Sequence, residues 1–301
     1  MRVLDRESWQ ARADAHARRL DPYLRPHLAR REAGVAHPVH DFLFGYYSHR
    51  PAQLRRWHPG YGVALADAAE HARLKAYEEV GGAVGVTPSY VASQRPLLVA
   101  LGRLLRATAA RPAHLGCFGM HEWAMVYRLP EGRARHPRPL RLGPAGTDAV
   151  VESHRIACSH FDAYRFFTPA AEPRNTLHPG PHDRAEFEQP GCLHAGMDLY
   201  KHAFRLSPMV CSDLVADCFE LAWEIRELDM RASPYDLDEL GYPPVRVETA
   251  AGKAEYAAAQ EDFSRRAAPL RRRLAEECDR LLAAGDVRPY ETRSTRPSVG
   301  V

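Results

Sequence analysis

Apolar side chains recur at intervals of three and four residues over much of this chain, and this spacing constrains those segments to amphipathic helices. The pattern runs through residues 64–77, 96–110, 193–206, 212–231 and 251–284. Side chains three and four positions apart lie on the same face of an α-helix, so each segment has one apolar face to bury. The sequence therefore predicts a mainly α-helical protein whose core lies between helices.

Signals for other structure are few. Only short stretches such as residues 245–248 have a pattern typical of a β-strand. Residues 130–148 and 168–191 are rich in proline, which predicts long loops. We expect a single helical domain over residues 1–286 with long proline-rich loops and little strand, followed by a disordered tail at residues 287–301.

Prolines also predict where helices break. Pro22 and Pro26 interrupt the charged pattern of residues 5–33 and predict a helix pair there, because proline lacks the backbone N–H that a helix interior uses. Pro269 predicts a kink or restart in the C-terminal helical segment. Pro51 is expected to open a short helix, since proline is favoured at the first helical position.

Composition limits the cellular setting and the partners. The formal net charge is +3, which permits contact with nucleic acid but does not require it. No run of about 18 apolar residues is present, and the charged N-terminus lacks an apolar signal core, so we expect no membrane span and a cytoplasmic protein. The six cysteines form no CxxC pair and are expected to be free thiols.

Histidines and carboxylates concentrate between Glu152 and His202. Asp162 lies among aromatic residues, where its pKa is expected to be raised and available for proton transfer, although an ion pair with a neighbouring arginine would be structural. A second, apolar segment at residues 115–127 holds two polar groups that must be paired or serve a site. The candidates for catalysis are Asp162, His160, Glu122, His121, Glu152 and His154.

A basic and aromatic stretch at residues 37–62 indicates possible contact with nucleic acid. Aromatic rings can stack on bases and arginines can contact phosphates, whereas the alternative places the rings in the core with the arginines extending over them. The candidates for substrate binding are Tyr46, Tyr47, Trp57, Tyr164, Arg165, Arg55 and Arg56, with Arg103 as a further phosphate contact.

A metal site is the alternative interpretation. His194, Asp198 and His202 are spaced at i, i+4 and i+8 and so share one helical face. An adjacent pair can bind one ion, but the first and third lie about 12 Å apart at a rise of about 1.5 Å per residue. A histidine or glutamate from another segment would complete the set. This interpretation predicts an enzyme that binds iron, manganese or zinc and acts on a small molecule.

Four segments carry a resemblance to a known family. They are residues 37–60 (HPVHDFLFGYYSHRPAQLRRWHPG), 116–128 (GCFGMHEWAMVYR), 152–169 (ESHRIACSHFDAYRFFTP) and 188–209 (EQPGCLHAGMDLYKHAFRLSPM). They are similar to an actinobacterial family commonly labelled 3-methyladenine DNA glycosylase, and the similarity covers most of the chain. The chain has no recognisable helix-hairpin-helix motif.

The resemblance implies a hydrolase of base-excision repair that acts on DNA without a cofactor and cuts the N-glycosidic bond of alkylated purines. A flipped base would be held between rings such as Tyr46 and Tyr164. Asp162 or Glu122 would stabilise the positive sugar and activate water. A third interpretation is a helical binding protein without turnover, in which the buried polar groups form structural networks.

Overall fold

The computed structural model describes residues 1–130 and 138–285 of the 301-residue chain. Helices make up most of these residues, which confirms the predicted mainly α-helical class. The predicted disordered tail lies outside the described residues, and the single-domain assignment stays a prediction. In the described part of the chain, no helix combines the length and the apolar character needed to cross a bilayer.

Helices of very different length alternate along the chain. In order they are α1 (Arg6–Glu32), α2 (Phe42–Gly45), α3 (Pro51–Arg55), α4 (Ala69–Ala72), α5 (Pro88–Ser93), α6 (Arg95–Ala109), α7 (Met120–Ala124), α8 (Gly143–Ser153), α9 (Phe161–Tyr164), α10 (Arg184–Phe187), α11 (Leu193–Leu206), α12 (Ser212–Arg231) and α13 (Ala250–Gly285). Single 3-10 turns lie at Glu172–Arg174 and Asp238–Leu240. The strands are β1 (Arg2–Leu4), β2 (Val63–Ala66), β3 (Tyr77–Val80) and β4 (Ala83–Val86).

The core lies where α11, α12 and α13 pack on one another, with α6 against α13. The predicted apolar face of α12 is confirmed, since Leu214, Cys218, Leu221 and Ile225 are all buried. Full burial of one such large side chain contributes about 1.5–3 kcal/mol. Packing of these faces therefore fixes how the long helices sit against each other.

The predicted helix pair at Pro22 and Pro26 was wrong, and the helix does not restart at Pro269. Helix α1 runs continuously through Pro22 and Pro26, and α13 runs through Pro269. A proline inside a helix costs about 3 kcal/mol because a backbone hydrogen bond is lost. In α1 the fully buried Leu20 and Leu24 flank the first proline, so burial of their side chains offsets that cost.

A small sheet replaces the helix predicted over residues 64–77. Its strand order is β1-β2-β4-β3, with β1 parallel to β2 and the other neighbours antiparallel. Gly81 and Gly82 have φ of 62° and 80°, a conformation that glycine adopts without strain, and they form the turn between β3 and β4. The strand predicted at residues 245–248 does not form. Val245 and Val247 are buried in a coil segment instead.

Buried neutral histidines make the fold sensitive to acid. His49 stacks on Phe204 with ring centroids 3.8 Å apart, and burial, assisted by the charges of Lys201 and Arg205, lowers its pKa to about 4. In the unfolded chain its pKa is about 6.5. Between these two pKa values His49 binds a proton in the unfolded state but not in the folded state. Stability is therefore lost as the pH falls through 6.5 towards 4.

Replacing His49 with phenylalanine is expected to flatten this pH dependence. The histidine accounts for a loss of about 2 kcal/mol between pH 7 and pH 5. Urea denaturation at several pH values would give the slope of the free energy of unfolding against pH for each protein. This slope does not depend on any difference in stability between the two proteins at neutral pH. The pKa values of His40, His58 and His202, each lowered to about 3 mainly by burial, leave a residual slope in the variant. Equal slopes for the variant and the native protein would contradict the assignment.

Candidate functional site

A left-handed turn places α7 against the end of α12. Phe118 and Gly119 both have positive φ, and a β-carbon on Gly119 would lie 3.5 Å from the Ala232 side chain. Just beyond the turn, the Trp123 indole Nε1 donates a hydrogen bond of 2.8 Å to the Ala232 carbonyl. The turn and this bond hold His121, which is buried on α7, beside the last turns of α12.

Three buried side chains meet there, which we call the triad: His121 from α7, His194 from α11 and Asp229 from α12. One donor atom from each lies within 4.8 Å of the others. His121 Nε2 lies 3.1 Å from Asp229 Oδ1, and the two atoms form a buried ion pair when the imidazole is protonated. Two ligands about 2.0–2.1 Å from one ion, in tetrahedral or octahedral geometry, lie about 2.9–3.4 Å apart. The His121–Asp229 pair has this spacing, and a donor atom of His194 lies within 4.8 Å of both.

The protonation of the triad follows from burial and from its neighbours. Burial, with His121 close by, holds the pKa of His194 well below its usual range, so this imidazole is neutral and can donate a lone pair. Burial alone would lower the pKa of His121, but the charge of Asp229 outweighs it and raises the pKa. Burial likewise would raise the pKa of Asp229, and the opposing charge of His121 keeps it low. Asp229 is thus an anionic donor at neutral pH.

Arg226 lies next to the triad on α12. Its Nη1 donates hydrogen bonds to Glu122 Oε1 at 3.1 Å and to Asp229 Oδ2 at 2.8 Å. Its guanidinium lies over the Phe42 ring, 4.2 Å from the centroid. One arginine thus bridges two buried carboxylates, which leaves the cluster of Glu122, Arg226 and Asp229 with one surplus negative charge when His121 is neutral.

A cavity of about 160 Å³, called the cavity, reaches His194 of the triad. Its walls combine aromatic, acidic and basic side chains: Phe42, Tyr46, Glu122, Met125, Asp162, Phe166, His194 and Arg226. On the other side of the triad, a narrow space of about 20 Å³ is lined by His121, His194 and the thiols of Cys117, Cys158 and Cys192. A small molecule in the cavity would therefore lie beside the triad.

A second polar cluster, the Asp198 network, lies on the far side of His194. It consists of His160, Asp162, Arg184, Glu188, Asp198 and Lys201. Asp198 accepts hydrogen bonds from Tyr47 Oη at 3.0 Å and from Arg184 Nη2 at 2.6 Å. Burial would raise the pKa of Asp198, but hydrogen bonding by His160 and the surrounding cations hold it well below its usual range. Both carboxylate oxygens are thus occupied by protein donors.

Asp162 belongs to the same network, and the prediction that its pKa is raised was wrong. Burial acts in the predicted direction, but Lys201 Nζ donates a hydrogen bond of 2.9 Å to Asp162 Oδ2 and the net effect lowers the pKa. Arg165 Nε lies a further 3.4 Å from Oδ1. The pair with Arg165 is the alternative that the sequence left open, an ion pair with a neighbouring arginine, whereas Lys201 was not foreseen.

The structure gives His194 different partners from those expected on its own helix. Asp198 pairs with Arg184 and Tyr47, and His202 is buried. His121 was proposed as a catalytic candidate and joins His194 as a potential ligand. Asp229 and Arg226 were missed. A signal for Asp229 exists, since it lies four residues beyond Ile225 and continues the buried face of α12 with a carboxylate.

The other catalytic candidates divide between the two clusters and the surface. Glu122 lines the cavity and pairs with Arg226, while His160 Nε2 lies 3.4 Å from both Glu188 and Asp198. Glu152 accepts hydrogen bonds from Tyr127 and Arg128, and His154 Nδ1 lies 2.6 Å from the Val150 carbonyl oxygen. Neither Glu152 nor His154 is among the residues that line the cavity.

The predicted base-stacking surface is not assembled as a unit. Trp57 is only 2% exposed and Tyr47 is buried, so their rings are part of the core. Arg55 pairs with Asp21 at 2.8 Å, and Arg56 and Arg103 are exposed. Tyr46 does line the cavity, and Arg165 Nη2 donates to its hydroxyl at 3.4 Å. Tyr164 packs against Phe167 and approaches His178.

Comparisons with known proteins bring no further assignment. No protein-family model, no curated protein and no solved structure matched this chain. The functional interpretation therefore depends on the geometry of the triad and of the cavity beside it.

Proposed function

We propose that this protein is a metal-dependent enzyme that acts on a small molecule at one divalent ion held by His121, His194 and Asp229. The observation that carries the proposal is the convergence of three buried donor atoms, one from each of these side chains, within 4.8 Å of one another, with His121 Nε2 only 3.1 Å from Asp229 Oδ1. Without a cation, a proton on His121 must hold these two atoms together, and a bound divalent ion would replace that proton.

The donor set indicates the class of ion and the type of site. Two imidazoles and one carboxylate suit zinc, iron or manganese rather than a site for calcium or magnesium, which prefer oxygen ligands. Three protein ligands leave at least one coordination position open, as catalytic sites require. The ion would supply Lewis-acid or redox chemistry there, while the cavity walls would orient the substrate.

The size of the cavity supports a small substrate. Sites for drug-sized ligands enclose about 300–1,000 Å³, whereas this cavity encloses about 160 Å³. Asp162 and Glu122 in its wall are each held by a cation, so they are positioned rather than free.

Metal content is the direct test. Untagged protein, purified without chelators, is expected to contain close to one equivalent of iron, manganese or zinc per chain by plasma mass spectrometry. After removal of the metal, titration with each ion should restore one equivalent. Protein that neither retains nor rebinds any of the three ions would overturn the proposal.

A second candidate is the DNA glycosylase implied by the sequence resemblance. It is favoured by the presence of Tyr46, Glu122 and Asp162 together in the wall of one cavity. Release of free base from methylated DNA by metal-free protein, with no rebinding of metal, would support this candidate over the metalloenzyme.

A further inference from the structure

Arg226 carries donors that the protein does not use. A guanidinium has five N–H groups, and here Nε donates to the Val39 carbonyl while Nη1 donates to Glu122 and Asp229. The Nη2 atom is buried and has no hydrogen-bond partner among the described residues. The side chain is only 1% exposed, so bulk water does not surround these donors.

The same arginine forms part of the cavity wall beside His194. The other polar side chains in that wall are engaged: Tyr46 with Arg165, Asp162 with Lys201 and Glu122 with Arg226 itself. The stacking of the guanidinium on Phe42 fixes its orientation. Arg226 is thus a rigid, charged donor with unused N–H groups at the boundary of the cavity.

Charge also favours an anion. Asp229 and Glu122 contribute two negative charges and Arg226 one positive charge, while Asp162 is neutralised by Lys201. A divalent ion on the triad would leave one surplus positive charge in the cavity. One monovalent anion would neutralise it.

We propose that the substrate is a small monocarboxylic acid whose carboxylate is bound by the guanidinium of Arg226 and whose apolar part lies against Phe42, Tyr46 and Phe166. A carboxylate accepts a charge-assisted hydrogen bond from a guanidinium, and the aromatic part of the wall suits the hydrocarbon of a carboxylic acid, which inorganic anions of this charge lack. The cavity volume corresponds to about five water molecules at about 30 Å³ each, which sets the size class. This inference deepens the proposed function and rests on it for the charge balance.

Benzoate and butyrate are suitable probes, and benzamide is the uncharged match to benzoate. The protein loaded with Co²⁺ should bind benzoate or butyrate saturably by calorimetry, and benzamide more weakly by about tenfold or more. The variant Arg226→Lys keeps a positive charge near Glu122 and Asp229 but replaces the three guanidinium nitrogens with one. Its affinity for the carboxylates should fall by about tenfold or more, with Co²⁺ still bound.

The variant Arg271→Lys is the matched control. Arg271 is also buried, also has an unpartnered Nη2 among the described residues and does not line the cavity, so carboxylate binding should be unchanged. Thermal melts of both variants verify folding. If Co²⁺ binds but neither carboxylate does, or if Arg226→Lys binds them as tightly as the native protein, this inference fails while the metal site stands. If neither Co²⁺ nor iron, manganese or zinc binds, the proposed function fails, and carboxylate binding that is lost in Arg226→Lys would still support the role of Arg226.

Discussion

Replacing Asp229 with asparagine is expected to weaken binding of the divalent ion by more than about 100-fold, because even changes behind the ligands cost about 10–100-fold. Asp229 is the anionic donor of the triad, and asparagine keeps its size but not its charge. The dissociation constant should be measured by competition with a chromophoric chelator. Unfolding by urea should be measured in parallel, since the exchange also removes a partner of Arg226.

Asp198→Asn provides the matched control for this experiment. Asp198 is likewise a fully buried carboxylate paired with an arginine, and it lies one helical turn beyond His194. It should lose stability but retain the metal. The reverse result, with metal lost in Asp198→Asn and kept in Asp229→Asn, would restore the ligand set predicted from the helical spacing of His194, Asp198 and His202.

The second large effect concerns stability. Asp198→Asn is expected to lower the free energy of unfolding by about 3–5 kcal/mol, because two charge-assisted hydrogen bonds to a fully buried carboxylate are weakened at once and each contributes about 1.5–3 kcal/mol. Here Arg184 and Lys201 lose their shared acceptor, and Tyr47 loses an ionic hydrogen-bond partner. Urea denaturation at pH 7 would measure the loss.

An exposed ion pair gives the comparison. Asp279 accepts two hydrogen bonds from Arg106, yet both side chains are more than half exposed. Solvent screens such pairs, and Asp279→Asn should change the free energy of unfolding by no more than about 1 kcal/mol. Similar losses in the two variants would mean that the Asp198 network is hydrated and not a buried structural cluster.

The long helices could be predicted from the sequence because the buried side chains of each helix lie on one face. The stripe of Leu214, Cys218, Leu221 and Ile225 needs only local periodicity to be recognised. The sheet was missed because pairing decides it: Val3, Ala64 and Gly85 become strand residues by hydrogen bonding to segments far away in the sequence. Proline was overestimated as a helix breaker in α1 and α13, since burial on both sides of the proline is a tertiary effect.

The residues of the site could also be predicted only where the local sequence reveals them. His121 and His194 stood out as polar residues in apolar segments, so each could be named from the sequence. The sequence could not predict that these two side chains meet, because their contact depends on the left-handed turn at Gly119 and on how α7 packs against α12. The pKa of Asp162 was predicted in the wrong direction, because it is lowered by Lys201, which lies on another helix.

The three donors of the triad lie on elements that are far apart in the chain, with Asp229 near the end of α12. During synthesis the N-terminal part emerges first, so His121 leaves the ribosome long before its two partners. A complete coordination sphere can form only after α12 has been made and docked on α11. Capture of the ion would thus be one of the last steps of maturation, and the cell could not load this protein while it is still being translated through α12.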